Sequence, residues 1–165
     1  MSADNFAIRS ATEADVPLIL ALIKELADFE KLSHEVSATE EELREQLFGP
    51  RRFAEVLIGE TEGRPAAFAL FFHNFSTFLA RPGIYLEDLF VRSEFRGRGF
   101  GRRMLSYVAR IARERNCGRF EWAVLDWNKR AMKFYEKLGA RPMDEWTVYR
   151  MDEKAIESLA TYESD

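Results

Sequence analysis

Six residues rich in glycine and arginine, residues 96–101 (Arg-Gly-Arg-Gly-Phe-Gly), constrain the fold of this chain more than any other segment. An apolar, strand-like segment at residues 84–91 precedes them, and apolar residues at helical spacing follow from Met104 to Ile111. Glycine lacks a Cβ atom, so the backbone N–H groups of such a loop can close around an anion. The N-terminus of the following helix adds unpaired N–H donors and roughly half a positive charge. The pattern therefore predicts a strand–loop–helix unit that binds phosphate groups.

Two common phosphate-binding motifs do not fit this loop. A P-loop requires Gly-Lys-Ser or Gly-Lys-Thr after its spacer, and neither tripeptide follows. A dinucleotide-binding motif requires glycine at its first, third and sixth positions; Gly97 and Gly99 satisfy the first two, but Arg102 occupies the sixth. A glycine-rich turn with a solvated basic rim is the alternative that the loop itself leaves open.

The rest of the chain alternates between helix and strand patterns. Capping boxes at Thr12 and Thr39 each open an amphipathic helix, and turn signals at residues 62–63 and 81–83 separate three strand-like segments. The predicted strands are residues 6–9, 53–59, 65–75, 84–91, 120–125 and 146–151, and two later helices are predicted at residues 128–138 and 153–160. We therefore expect one α/β domain over residues 1–165, with a mixed, mostly antiparallel twisted sheet flanked by helices.

Composition narrows the functional classes. The chain has 24 Lys and Arg against 28 Asp and Glu, a formal charge of −4, which does not favour a nucleic-acid partner and suits a cationic substrate. Cys117 is the only cysteine, and His34 and His73 are the only histidines, so neither a disulfide nor a metal site is expected. The chain opens with no signal-peptide pattern, and its longest apolar run, residues 65–72, is too short to cross a bilayer. A cytoplasmic protein without a membrane partner is expected.

The order of these motifs resembles the GNAT superfamily of acetyl-CoA-dependent N-acetyltransferases, whose pyrophosphate loop reads Arg-Gly-x-Gly-x-Gly. The chain is more closely similar to the diamine acetyltransferase branch, which contains spermidine/spermine acetyltransferases and a sister group that acetylates thialysine and related lysine-like amines. The similarity is carried by residues 23–27, 29–32, 85–91, 96–101, 123–128 and 134–135. Residues 29–33 and 124–132 look more like the thialysine group. The resemblance implies the GNAT fold and a homodimer, to which residues 146–150 would contribute a strand.

Acetyl-CoA is the co-substrate that the resemblance implies. The residues expected to contact it are Leu89, Phe90, Val91, Arg96, Gly97, Arg98, Gly99, Phe100, Gly101, Arg102, Asn128, Ala131 and Tyr135. Asn128 also looks like a helix N-cap from its own position before the predicted helix. Both roles are compatible.

Acetyl transfer to an amine requires a base, because a primary ammonium has a pKa of about 10.4 and attacks a thioester only after it loses a proton. Glu87 is the candidate, since it lies in an apolar strand beside the loop, and the resemblance implies that it acts through water. Its neighbour Asp88 would face the other side of a regular strand, so the two acids share one site only if a bulge intervenes.

The resemblance places the Tyr135 hydroxyl near the coenzyme sulfur as general acid; by pattern alone, Tyr135 could be a core aromatic. The resemblance also implies direct transfer in a ternary complex, with backbone N–H groups between Leu89 and Val91 stabilising the oxyanion.

Acidic side chains are expected to hold a second ammonium of the substrate, which is taken to be a small cationic amine. The candidates are Glu30, Glu87, Asp88, Glu121 and Glu145, together with Trp122. Two other functions remain open from the residues: acetylation of a peptide or protein amine, and a non-catalytic acyl-CoA sensor. A sensor could lose Glu87 or Tyr135, whereas this chain has both.

Overall fold

Five strands form one sheet within residues 5–162, the part of the chain that the computed structural model describes. The strands are β1 (Phe6–Ser10), β2 (Glu55–Thr61), β3 (Arg64–Ser76), β4 (Arg81–Val91) and β5 (Arg119–Trp122), and they lie in that order across the sheet. The helices are α1 (Val16–Phe29), α2 (Glu40–Phe48), α3 (Phe100–Glu114), α4 (Lys129–Lys137) and α5 (Glu153–Ala160). The first four strands pair antiparallel, and β5 runs parallel to β4. The predicted mixed, mostly antiparallel sheet with flanking helices is confirmed.

One face of the sheet packs against α1 and α2. The buried cluster on this face contains Ile19, Leu22, Leu26, Leu47, Val56, Ile58, Phe68 and Phe90. On α1 the apolar residues recur every three or four positions, which places them along one stripe of the helix. Full burial of each such side chain stabilises the fold by about 1.5–3 kcal/mol. The cluster therefore holds α1 and α2 against β2, β3 and the Phe90 side chain of β4.

Both predicted capping boxes are formed. The Glu42 N–H donates to Thr39 Oγ1 (3.2 Å), and the Thr39 N–H donates to the Glu42 carboxylate (2.9 Å). The Thr12 box opens a short 3-10 turn, Glu13–Asp15, that leads directly into α1. These local bonds satisfy N–H groups that a helix start would otherwise leave without partners.

The other face of the sheet is covered by α3. Phe6 on β1 stacks on Phe100, the first residue of α3, with ring centroids 4.1 Å apart. The approach is close at Gly59 on β2, where an added Cβ would collide with the Phe6 ring and lie 3.0 Å from Met104 Sδ. Glycine at this position therefore leaves room for the Phe6 ring of β1 and for Met104 of α3 to pack against β2.

Two predictions near the C-terminal end of the chain are wrong. Residues 146–151 form no strand, and β5 ends at Trp122 rather than at residue 125. A strand needs a neighbouring backbone that pairs its N–H and C=O groups, whatever its side-chain propensity. Within the described residues of Val124–Asp165 no strand is available to supply one. The predicted helix at residues 153–160 is confirmed as α5.

Backbone packing divides the chain into two compact units, Met1–Ala123 and Val124–Asp165. The first unit contains the whole sheet with α1, α2 and α3, and the second contains α4 and α5. A single domain over residues 1–165 stays a prediction. Residues 1–4, where the sequence predicts no signal peptide, and residues 163–165 lie outside the described residues.

Candidate active site

The predicted phosphate loop has the backbone that its glycines allow. Gly97 and Gly99 have φ angles of +82° and +79°, in the left-handed region that favours glycine. An added Cβ on either would meet no described atom within 4 Å, so backbone conformation, not crowding, requires glycine there. The first helical bond of α3 runs from the Arg103 N–H to the Gly99 carbonyl (3.1 Å), and a helix start leaves the earlier N–H groups without intrahelical acceptors. This local geometry fits a pyrophosphate group.

The arginines of the loop contact protein groups. The Arg96 Nε donates to the Val91 carbonyl at 2.9 Å, and its guanidinium lies 4.3 Å from the centroid of the Phe29 ring. Arg98 forms an ion pair of 3.1 Å with Glu62. Arg102 is exposed on the first turn of α3. Coenzyme binding by these residues stays a prediction, and the loop backbone with Arg102 offers the most accessible donors for it.

A β-bulge lies at the two adjacent acids of β4, Glu87 and Asp88. Leu86 pairs with Phe71 and Asp88 pairs with Leu70, so Glu87 is the extra, unpaired residue of the strand. Cross-strand partners share a face of the sheet, which places Asp88 on the same face as Leu70, the face covered by α1 and α2. The alternation of side chains along a strand requires such a bulge if Glu87 and Asp88 are to contribute to one site, and the structure contains it.

Asp88 has the most perturbed acidity of the acids near the bulge. Its pKa is raised to about 7, first by burial and then by the negative charges of Glu87 and Glu30. Burial also raises the pKa of Glu30, the residue that follows α1. These three residues, Glu30, Glu87 and Asp88, form what we call the acid cluster. Such a cluster favours a bound cation, which would offset the repulsion among its members.

The end of α1 places Glu30 in this cluster. The Leu32 N–H donates to the Ala27 carbonyl at 2.8 Å, which closes the helix in a Schellman motif. Lys31 occupies the left-handed position of that motif, with a φ of +62°. The turn therefore fixes the backbone on both sides of Glu30.

In the first unit, β4 extends past its partner β5. The parallel pairing ends at Leu86 and Trp122, whereas β4 continues to Val91. The Arg92 N–H donates to the Ala66 carbonyl on β3, so by antiparallel alternation the N–H groups of Leu89 and Val91 point away from β3. Their direction, toward the edge where β5 has ended, supports the predicted contact of this backbone with the thioester.

Glu121 and Trp122 lie on β5, beside the start of this open edge. Glu121 is paired with Arg119 at 2.5 Å and accepts a hydrogen bond of 3.3 Å from Asn74 Nδ2. Trp122 packs edge-on against Phe120, with ring centroids 5.0 Å apart. The Glu121 carboxylate already has a cationic neighbour, so the acid cluster is better disposed than Glu121 to take a substrate ammonium.

The remaining predicted residues belong to the second unit. Asn128 caps α4 as predicted, since its Oδ1 accepts from the Ala131 N–H at 3.2 Å. Tyr135 is half-buried on α4, and its ring centroid lies 5.5 Å from that of Phe134. Glu145 is exposed in an irregular segment. Their roles toward coenzyme and substrate stay predictions.

Sequence reasoning missed an ion pair between α1 and the residue that follows β4. Arg92 binds Glu25 through two hydrogen bonds of 2.9 and 2.7 Å and also donates to the Pro65 carbonyl at 3.1 Å. The two charged residues are 67 positions apart, and no local pattern pairs them.

Residues 5–162 contain no group of three or more His, Cys, Asp or Glu side chains arranged to hold a metal ion. In the same range, every helix is too short or too polar to traverse a lipid bilayer.

Comparisons with known proteins agree with this geometry. Residues 20–140 match the family described as Acetyltransferase (GNAT) family. Thialysine N-epsilon-acetyltransferase of Bos taurus is 40% identical over 164 residues, which cover 93% of this chain and 96% of that protein. L-ornithine N5-acetyltransferase NATA1 of Arabidopsis thaliana is 34% identical over 197 residues, which cover 92% of this chain and 86% of that protein. An integron cassette protein from the mobile metagenome of V. cholerae has a similar solved structure, with a TM-score of 0.81 at 25% identity over 97% of this chain and 100% of that one.

The family match spans most of the chain, and the relatives align over nearly their whole lengths. The chain belongs to the GNAT acetyltransferase family, and it is an amine N-acetyltransferase.

Proposed function

We propose that this enzyme transfers the acetyl group of acetyl-CoA to a terminal primary amine of a small substrate that carries a second ammonium group, of the thialysine, ornithine or polyamine type. The observation that carries the proposal is the acid cluster of Glu30, Glu87 and Asp88 beside the open edge of β4. The curated relatives named for thialysine and L-ornithine act on amines of this kind, which supports the same substrate class here.

The loop and the first turn of α3 hold the coenzyme in this proposal. The backbone N–H groups of residues 97–101 bind the pyrophosphate, and Arg102 adds a charged donor beside them. Leu89 and Val91 present backbone N–H groups at the reacting end, where they stabilise the oxyanion of the thioester carbonyl. Acetyl-CoA supplies the activated acetyl group, and these protein groups hold the thioester in position for attack.

The acid cluster handles the amine and its proton. Asp88 is less exposed than Glu87 and attracts the ammonium group, whose charge favours the ionised carboxylate. Glu87 is exposed at the bulge, where it accepts the proton of the reacting amine through water. Glu30 binds the second ammonium from the end of α1. Tyr135 protonates the departing thiolate, which completes a direct transfer without a covalent acyl-enzyme.

We further propose a homodimer that acts in the cytoplasm. Trp146, Val148 and Tyr149 are 74, 86 and 92% exposed, and exposed apolar side chains that lie together mark an interaction surface. A second copy of the chain is the partner that we propose for them. The single cysteine, Cys117, excludes an internal disulfide and agrees with a reducing compartment. Light scattering should give twice the chain mass, and Val148→Lys should give the monomer; a monomeric wild type would refute the dimer.

Release of coenzyme A from acetyl-CoA tests the proposed reaction. Thialysine, lysine, ornithine, spermidine and putrescine are compared in parallel, with Glu87→Gln as the variant that lacks the proposed base. The proposal predicts turnover with at least one of these amines and a kcat reduced about a hundredfold in Glu87→Gln. Tight binding of acetyl-CoA without turnover on any amine would instead favour a peptide acceptor or a sensor.

A further inference from the structure

Two contacts tie α1 to the segment that leads into the phosphate loop. The first is the ion pair of Glu25 with Arg92, and the second is the stacking of the Arg96 guanidinium on the Phe29 ring at 4.3 Å. The partners on α1 are four residues apart, one helical turn, and those of the other segment are also four residues apart. We call this pair of contacts the α1–loop clamp.

Each end of the clamp leads to a different part of the proposed site. On α1, Phe29 directly precedes Glu30 of the acid cluster, and the hydrogen bonds of the Schellman turn fix the backbone there. On the other segment, Arg96 directly precedes Gly97 of the phosphate loop. The contact between Phe29 and Arg96 therefore joins residues that adjoin the acid cluster and the phosphate loop.

The contacts of Arg96 hold it in this bridging position. Its Nε donates to the Val91 carbonyl (2.9 Å), and its guanidinium also lies 5.6 Å from the centroid of the buried Phe90 ring. Arg92 is held in the same way by the Pro65 carbonyl in addition to Glu25. Arg96 thus contacts both α1 and the end of β4, and Arg92 contacts both α1 and β3.

We infer that Phe29 and Arg96 are positioning residues that couple the two substrate sites: they hold Glu30 in place for the amine when the phosphate loop is ordered by the coenzyme. The inference rests on the proposed function of the loop and of the acid cluster. In this inference the Arg96 side chain supports the amine site by its contact with Phe29 and does not bind the coenzyme phosphates. It also predicts that the amine binds more tightly to the coenzyme complex than to the free enzyme.

Kinetics of variants at the two positions test the clamp. Phe29→Leu removes the aromatic face, Phe29→Tyr keeps it as the matched control, and Arg96→Gln removes the cation. A cation–π pair at a half-exposed site predicts a KM for the amine about three- to fivefold higher in Phe29→Leu and Arg96→Gln, with the Kd for coenzyme A changed less than about twofold. Phe29→Tyr should retain the wild-type KM. The double variant should resemble either single variant, because the two side chains act through one contact.

Three results would overturn the inference. One is an unchanged KM for the amine in Phe29→Leu. Another is additive effects in the double variant, which would mean that the residues act separately. The third is a coenzyme Kd that rises more than the amine KM in Arg96→Gln, which would make the side chain a phosphate ligand. If Phe29→Leu fails to fold, Arg96→Gln with Phe29→Tyr decides by the same criteria.

Failure of the proposed function is recognised separately, by a wild type that turns over none of the amines. The clamp is then tested by calorimetry with putrescine, with and without coenzyme A. Tighter putrescine binding in the presence of coenzyme A, lost in Phe29→Leu, would support the clamp. The same ratio in both proteins, or no binding of putrescine to the wild type, would overturn it.

Discussion

Substitution of Asp88 by asparagine should stabilise the fold while it impairs the reaction. The folded protein holds the proton of Asp88 up to a pH of about 7, whereas the same group has an ordinary pKa of 3.8. Between these values the folded state binds more protons than the unfolded chain, so the Asp88 contribution to stability falls as the pH rises. The asparagine side chain does not ionise in this pH range. In Asp88→Asn, Glu87 and Glu30 therefore no longer lie near a third carboxylate.

The size of the effect follows from the two pKa values. Relative to a carboxyl with an unshifted pKa, Asp88 lowers the free energy of unfolding by about 1.5 kcal/mol at pH ~5 and by about 4 kcal/mol at pH ~8. The free energy of unfolding of the wild type should therefore decrease by about 2.5 kcal/mol between these pH values on account of this group alone. In Asp88→Asn that decrease should be absent.

Urea denaturation at the two pH values measures the difference directly. The control is Glu41→Gln, which removes one carboxylate from the exposed side of α2 and should leave the pH dependence of the wild type in place. The amine kcat/KM of Asp88→Asn should fall by about ten- to a hundredfold, because a charged contact to the ammonium is lost. Parallel pH dependence in wild type and Asp88→Asn would refute the burial of this carboxyl, and unchanged kcat/KM would refute its contact with the amine.

Three further substitutions test other parts of the site and fold. Tyr135→Phe should lower kcat by about a hundredfold or more with the Kd for acetyl-CoA largely unchanged, and normal turnover would exclude Tyr135 as general acid. Gly99→Asp should abolish coenzyme binding measured by calorimetry, because it places a negative charge and a strained φ beside the phosphates. Gly99→Ala has the strained φ without the charge and should weaken binding much less. Equal losses in the two variants would exclude charge repulsion. Lys31→Gly should raise the free energy of unfolding by about 0.5 kcal/mol by relieving the left-handed φ that ends α1, and a lower melting temperature would contradict that assignment.

Elements set by local patterns could be predicted from the sequence. The capping boxes at Thr12 and Thr39 and the periodicity of apolar residues located α1 and α2, and the helix at residues 153–160 was matched in full by α5. The glycines of the phosphate loop were informative for the same reason, since a left-handed backbone depends on the residue itself.

Elements that depend on distant partners could not be predicted. Residues 146–151 have the composition of a strand, but their pairing requires a backbone that their own sequence does not specify. The pairing of Glu25 with Arg92 joins residues 67 positions apart, so only the packing of α1 on the sheet reveals it.

The candidate site shows the same division. The two acids Glu87 and Asp88 could be selected as neighbours on an apolar strand, and strand alternation showed that they share one site only if a bulge intervenes. The raised pKa of Asp88 could not be anticipated, because it depends on burial and on Glu30, which arrives from the end of α1. The sequence thus selected both acids as candidates, and the packing shows that Asp88 has the raised pKa.

Selection of a second ammonium by the acid cluster is the central claim, and one pair of substrates tests it most directly. Putrescine and butylamine have the same four-carbon chain and the same reacting amine, and they differ only in the second amine. The account predicts that kcat/KM for putrescine exceeds that for butylamine by about ten- to a hundredfold, the value of one charged contact to a partly buried carboxylate. Equal kcat/KM for the two amines would contradict it, because Glu30, Glu87 and Asp88 would then contribute nothing to the choice of substrate.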